Sequence, residues 1–118
     1  GVLTDLGSIP DDLIGHYRHL DALLLEANHD PEMLARGDYP PSLKQRVGGY
    51  WGHLSNQQSA NLIEHIDINR LQHLVIAHIS QKNNTQAHVM AAFENLPAAY
   101  SLLQLANQQT GFDWLAIV

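Results

Sequence analysis

Four positions share one setting: a side chain able to bind a metal or move a proton, placed where an apolar stretch ends or in the loop after it. Asp5 follows Val2-Leu3-Thr4, and His29 follows the run Ala22 to Glu26. His53 stands in Gly52-His53-Leu54-Ser55-Asn56, just ahead of a helix signal, and His78 closes Leu74-Val75-Ile76-Ala77. In layered α/β proteins ligands gather at strand ends and in the loops beyond them. Imidazole nitrogen and carboxylate oxygen are ligands that Zn²⁺ and Mn²⁺ accept. A carboxylate can bridge two cations, and such a pair acidifies a water and holds the oxygens of a displaced phosphate. Asp5 suits the bridge and His78 a terminal ligand. His53 and Ser55 sit at a helix N-terminus, whose N–H groups favour an anion such as phosphate. His53 there can contact a phosphate oxygen or protonate a leaving group.

Each position also has a plainer reading. Asp5 alone reads as a turn residue, His53 as a loop histidine, Ser55 as a helix cap, His78 as a satisfied structural histidine, and His29-Asp30 as a turn with a cap. No HxxxH or HExxH spacing sharpens the choice, so spacing alone goes no further than a candidate metal site. His16, His19, His65, His73 and His88 fall on helices or turns and read as surface or packing residues.

The elements that must position these residues follow from periodicity and punctuation. Gly1 to Leu6 reads as a strand, so the chain is expected to begin inside a sheet. Ser8 is the expected cap of a helix carrying Leu13, Ile14, Tyr17 and Leu20 at helical spacing. Ala22 to Glu26, an apolar run closed by an acid, has the length of a fully buried strand. Asp30 with Pro31 behind it predicts a short helix, and Ser42 to Val47 another. Ser55 caps a longer helix through about Ile66, with Ala60, Ile63 and Ile66 on its apolar face. Leu71 to Ile79 is a strand. A helix follows the Asn83-Asn84-Thr85 cap and stops before Pro97. Ser101 to Ala106 and Trp114 to Val118 are two final strands around Gln109-Thr110-Gly111. This alternation of strands and helices predicts a layered α/β or α+β unit.

Length and composition narrow the class. The chain has 118 residues, and 45% of them are hydrophobic, as in an ordinary single globular domain. No apolar run approaches the roughly 20 residues that span a bilayer, and no signal peptide is visible. The absence of cysteine excludes disulfides and thiolate metal sites, and it fits the cytoplasm. With 6 basic against 12 acidic residues, no basic nucleic-acid face is evident.

Together, Gly1-Val2-Leu3-Thr4-Asp5-Leu6-Gly7, Leu23-Leu24-Leu25-Glu26-Ala27-Asn28-His29-Asp30, Pro41-Ser42-Leu43-Lys44-Gln45-Arg46, Gly52-His53-Leu54-Ser55-Asn56 and Ala77-His78-Ile79-Ser80-Gln81-Lys82-Asn83-Asn84-Thr85 resemble the second half of a bacterial subgroup of metallo-β-lactamase-fold hydrolases. That subgroup stands near ribonuclease Z and the cyclic phosphodiesterases and includes exonuclease-like members. The resemblance covers nearly the whole chain and is most specific around Gly52–Asn56 and Ala77–Thr85. It implies a C-terminal half, residues 1–118, of a four-layer αββα sandwich: one mixed sheet with flanking helices. It implies that Asp5 bridges two divalent ions, Zn or Mn, and that His78 is the last histidine ligand. His53 with Ser55 would lie near the scissile phosphate, His29 would join them as a catalytic candidate, and Lys44, Arg46 and Asn56 would contact substrate phosphate.

The family's HxHxDH motif, carried by the other half, is absent here, so Asp5 and His78 alone do not complete a two-metal site. The expected parent is a metal-dependent phosphodiesterase or nuclease acting on nucleic acid, in the cytoplasm. A small cyclic phosphate or a (thio)ester is the alternative substrate within the fold. An exposed apolar sheet is expected to pair with the missing N-terminal half. The alternative from another class is a non-catalytic half-domain that self-associates through that sheet.

Overall fold

The computed structural model describes residues 1–118. Four strands, β1 (Val2–Leu3), β2 (Ala22–Glu26), β3 (His73–Ala77) and β4 (Leu103–Leu105), form one sheet in the order β1-β2-β3-β4. Six helices lie between them: α1 (Asp11–Tyr17), α2 (Pro31–Arg36), α3 (Pro41–Gly48), α4 (Asn56–Ile63), α5 (Gln86–Ala92) and α6 (Pro97–Leu102).

Every strand pair is parallel, which corrects the expected mixed sheet. The reason is in the connections. Each strand returns to its neighbour through at least one helix, and such a crossover delivers the next strand in the same direction. The fifth expected strand does not form. Asn107 and Gly111 close the expected turn through reciprocal backbone hydrogen bonds, with Gly111 at φ 65°. The residues after it do not pair with a strand. Instead, Gln72 Nε2 donates to the Val118 carbonyl at 2.8 Å, Gln72 Oε1 accepts from the Val118 N–H at 2.9 Å, and His73 Nε2 lies 2.8 Å from the Ala116 carbonyl oxygen.

The register divides the sheet into two faces. Leu3, Leu25 and Ile76 are aligned on one face, as are Leu23 and Leu74, and all are buried against Ala60, Ile63, Val89, Phe93 and Ala99 of the helices. Burying each leucine or isoleucine stabilises the fold by about 1.5–3 kcal/mol, so this face holds most of the core. Val2, Leu24 and Val75 are aligned on the other face. Part of that face meets the C-terminal segment across an apolar cleft of about 470 Å³ lined by Leu24, Val75, Phe112, Trp114 and Ile117. Val2, Trp114, Ile117 and Val118 remain exposed.

The helix caps show where local signals held. The Asp30 carboxylate accepts from the Met33 N–H at 3.0 Å. Ser55 and Gln58 form a reciprocal capping box on α4, and Thr85 caps α5. Two expectations shift. Pro10, not Ser8, precedes α1. Pro97 opens α6 rather than ending a structured segment, because proline suits the first helical position, where its missing N–H is not needed.

Candidate metal and phosphodiester site

Three strands deliver their C-terminal ends to one spot. Asp5 lies two residues past β1, Glu26 is the last residue of β2, and His78 follows β3 directly. His53 comes from the α3–α4 connection. It is brought alongside β2 because the segments around His29 and Ser55 pair in parallel: Asn28 N–H donates to the Leu54 carbonyl and Asn56 N–H to the His29 carbonyl, both at 2.9 Å. Close backbone packing sets this loop. A Cβ on Gly52 would fall 2.2 Å from the carbonyl oxygens of Arg46 and Val47, and one on Gly7 would fall 2.2 Å from that of Gly49. Only glycine fits at these two contacts.

Ligand atoms of Asp5, Glu26, His53 and His78 lie within 4.8 Å of one another. Glu26 is fully buried. Its Oε1 accepts from His53 Nδ1 at 2.7 Å and from His78 Nδ1 at 2.6 Å. Its Oε2 accepts from the backbone N–H groups of Asp5 at 3.1 Å and Leu54 at 3.3 Å. An ionised carboxylate buried without such donors would be strongly unfavourable, and here both oxygens are engaged. Because a carboxylate only accepts, the Nδ1 proton of each histidine faces Glu26 and each Nε2 is left to bind something else. Asp5 Oδ1 lies 3.7 Å from His53 Nδ1 and 3.8 Å from His78 Nδ1, with its side chain mostly exposed. The exposed Asp5 carboxylate and the His78 imidazole are donors of the kind a divalent ion accepts, His53 lies beside them, and Glu26 orients both imidazoles.

The structure therefore brings Asp5, His53 and His78 together. His29 stands apart from this cluster. It is buried, its Nδ1 is 3.4 Å from Asn28 Oδ1, and it lines a cleft of about 730 Å³ with Lys44, Ser55 and Gln58. Burial, and next the nearby His53, hold the pKa of His29 below its ordinary 6.5, against the opposing pull of Glu26 and Asp30. Ser55 is buried, and its Oγ accepts from the Gln58 N–H at 3.2 Å. Lys44 donates to the Ala35 carbonyl at 2.7 Å, and Arg46 is exposed on α3.

Asn56, expected to touch substrate phosphate, is placed differently. It is 2% exposed, and its amide pairs reciprocally with that of Asn84, both bonds 2.8 Å. Asn84 also donates to the Ala27 carbonyl at 3.0 Å. This pair ties α4, which follows His53, to the loop that follows His78. Asn28 Nδ2 adds a hydrogen bond to the His78 carbonyl at 3.0 Å. The Asn56 amide serves the loops, not a phosphate.

Sequence reasoning missed Glu26 as a site residue. The signal was present: an acid closes an apolar strand, and a carboxylate buried at such a position must meet donors.

No family model matches the chain. Over 83 residues it is 40% identical to exodeoxyribonuclease WalJ of Streptococcus pneumoniae, a match covering 70% of this chain and 31% of that protein. It is 35% identical over 83 residues to exodeoxyribonuclease YycJ of Bacillus anthracis, again 31% of that protein's length. The fold is similar to a crystal structure of a diphosphatase from the PhnP family, with a TM-score of 0.54 and 25% identity over 94% of this chain and 32% of that one. The chain thus spans about a third of the length of the proteins it matches. By sequence the chain is related to a C-terminal part of these metallo-β-lactamase-family exodeoxyribonucleases, and its fold is similar to that of the PhnP-family diphosphatase.

Proposed function

We propose that the protein carrying this chain is a metal-dependent phosphodiesterase that cleaves nucleic acid, and that residues 1–118 form the C-terminal half of its αββα sandwich. The observation that carries this reading is the arrangement at Glu26: one buried carboxylate aligns His53 and His78, with the Asp5 carboxylate beside both. Asp5 and His78 would hold divalent ions, two of them and either Zn or Mn, together with ligands from the N-terminal half. When bound, such ions acidify water and offset the charge of the phosphate.

The chain's own residues do the rest. Glu26 keeps the Nδ1 proton of His53 in place, so that Nε2 can give or take a proton at the leaving oxygen. His29 stays neutral near pH 7, because its pKa is lowered, and presents a hydrogen-bonding nitrogen without charge. Lys44 shares its cleft and Arg46 lies on the same helix, where they supply charge toward the backbone phosphates. Ser55 holds the helix end behind His53. A nuclease of this kind acts where cellular nucleic acid is, in the cytoplasm. Within the same fold, a small cyclic phosphate or a (thio)ester is the alternative substrate.

The test replaces Asp5 or His78 with alanine in the full-length protein and measures bound metal by elemental analysis and cleavage of an oligonucleotide. Loss of metal with loss of cleavage is expected. Retained metal and activity would overturn the reading.

A second reading rests on the exposed Val2, Trp114, Ile117 and Val118 along the open sheet face. In it the chain is a non-catalytic half-domain that pairs with a second copy. Sedimentation separates the two readings: a monomer of the isolated chain removes the second.

A further inference from the structure

Beside the metal-site cluster runs a cleft of about 350 Å³ that shares His53 with it, so any occupant lies against His53. A volume near this size admits one small-molecule unit rather than a polymer. Its walls include Tyr39, Ser80, Lys82, Asn28 and Gln108. Among the residues lining it, Lys82 is the one Lys or Arg, and there is no carboxylate, although the chain carries 12 acidic residues against 6 basic ones. The cleft thus offers a cation and several amides in a protein whose average surface repels anions.

An aromatic ring is the second observation. Tyr39 lies in Gly37-Asp38-Tyr39-Pro40-Pro41, between α2 and α3. A residue ahead of proline is restricted to extended backbone, so the ring is offered from a stiff connection. Lys82 Nζ lies 5.9 Å from the ring centroid, at the outer limit of a cation–π contact. A contact that long on an exposed lysine is weaker than the stacking of a nucleobase on an aromatic ring, so a base can displace it and leave the ammonium for a phosphate. The larger cleft at His29 has no Tyr, Trp or Phe among its lining residues.

Resting on the nucleic-acid reading above, we infer that this cleft binds the nucleotide next to the scissile phosphate of a single strand, its base stacked on Tyr39 and its backbone phosphate held by Lys82. Walls from the Tyr39 connection and from the loop that follows His78 clamp that nucleotide, which sets the phosphate at His53. Stacking tolerates any base, so the subsite confers a preference for single strands rather than for sequence.

The experiment uses the full-length protein with two substrates, a single-stranded oligonucleotide and bis(p-nitrophenyl) phosphate, a small phosphodiester that reports hydrolysis without a nucleotide. Tyr39→Ala is expected to raise the oligonucleotide KM about 5- to 150-fold while bound metal and the thermal midpoint stay at the wild-type level, which reports an intact fold. Tyr39→Phe, which keeps the ring, is expected to restore KM to about wild type. Lys82→Gln is expected to reduce the slope of log KM against log salt by about 0.7. An unchanged oligonucleotide KM in Tyr39→Ala, with a wild-type enzyme that cleaves the oligonucleotide, would overturn the subsite alone. A wild-type enzyme that hydrolyses bis(p-nitrophenyl) phosphate but no oligonucleotide would overturn the nucleic-acid reading and the subsite with it.

Discussion

Asp5 and His78 come from different strand ends, yet both adopt the left-handed backbone region, with φ of 61° and 57°, and Asp5 Oδ1 lies 3.8 Å from His78 Nδ1. They are the only non-glycine residues with positive φ. Such backbone costs about 1–2 kcal/mol per residue for an L-amino acid, and it persists where surrounding contacts over-determine it. Here the Asp5 N–H is held by Glu26 and the His78 carbonyl by Asn28. The strain turns both side chains toward one point at the sheet's C-terminal edge.

That strain predicts a split between stability and metal binding. His78→Gly and His78→Ala both remove the imidazole, so both are expected to lose metal. Only glycine also relieves the φ of 57°. The glycine variant should therefore be more stable than the alanine variant by about 1 kcal/mol in denaturant unfolding. Equal stabilities would show that the backbone at this position is not strained.

Glu26 is expected to act through the histidines. Glu26→Gln keeps the shape but places an NH₂ group where two N–H donors now converge, so either the imidazoles at Oε1 or the Asp5 and Leu54 backbone at Oε2 must shift. Metal affinity in the full-length protein should fall about 10- to 100-fold, the usual effect of losing an orienting group. A metal titration reads this directly, and an affinity equal to wild type would remove Glu26 from the site.

Asn56 and Asn84 form a closed pair, so their replacement should be non-additive. Either single alanine variant leaves a buried amide without its partner and should destabilise the protein by about 1–3 kcal/mol. The double variant should lose less than the sum of the two. Strict additivity in a denaturation cycle would mean that the amides do not couple.

His29 predicts the pH dependence. Its folded pKa is depressed below the ordinary 6.5, mainly by burial. Between the folded value and 6.5 the unfolded chain binds the proton and the folded chain does not. Stability is therefore lost as pH falls below about 6.5 toward the folded pKa, and this group adds no pH dependence above that. His29→Gln should flatten that decline relative to wild type, read from thermal midpoints between about pH 7.5 and 5. Parallel curves would show that His29 does not contribute.

The sequence by itself determined the local features. Ser55, Asp30 and Thr85 announced their helices because a side-chain cap is a bond across two or three residues, and Ala22–Glu26 announced a buried strand because both of its faces are apolar. The polar ends of those strands marked Asp5, His53 and His78, and the residue blocks around them carried the family resemblance. Strand direction, the fate of residues 112–118, the role of Glu26 and the commitment of Asn56 were decided by the tertiary structure. Each depends on partners far apart in the chain: Glu26 meets His53 and His78 across 27 and 52 residues, and Asn56 meets Asn84 across 28. Periodicity and capping report which neighbours a residue has along the backbone. Which distant donors converge on one buried oxygen is set only when the strands take their register and the loops close over their ends.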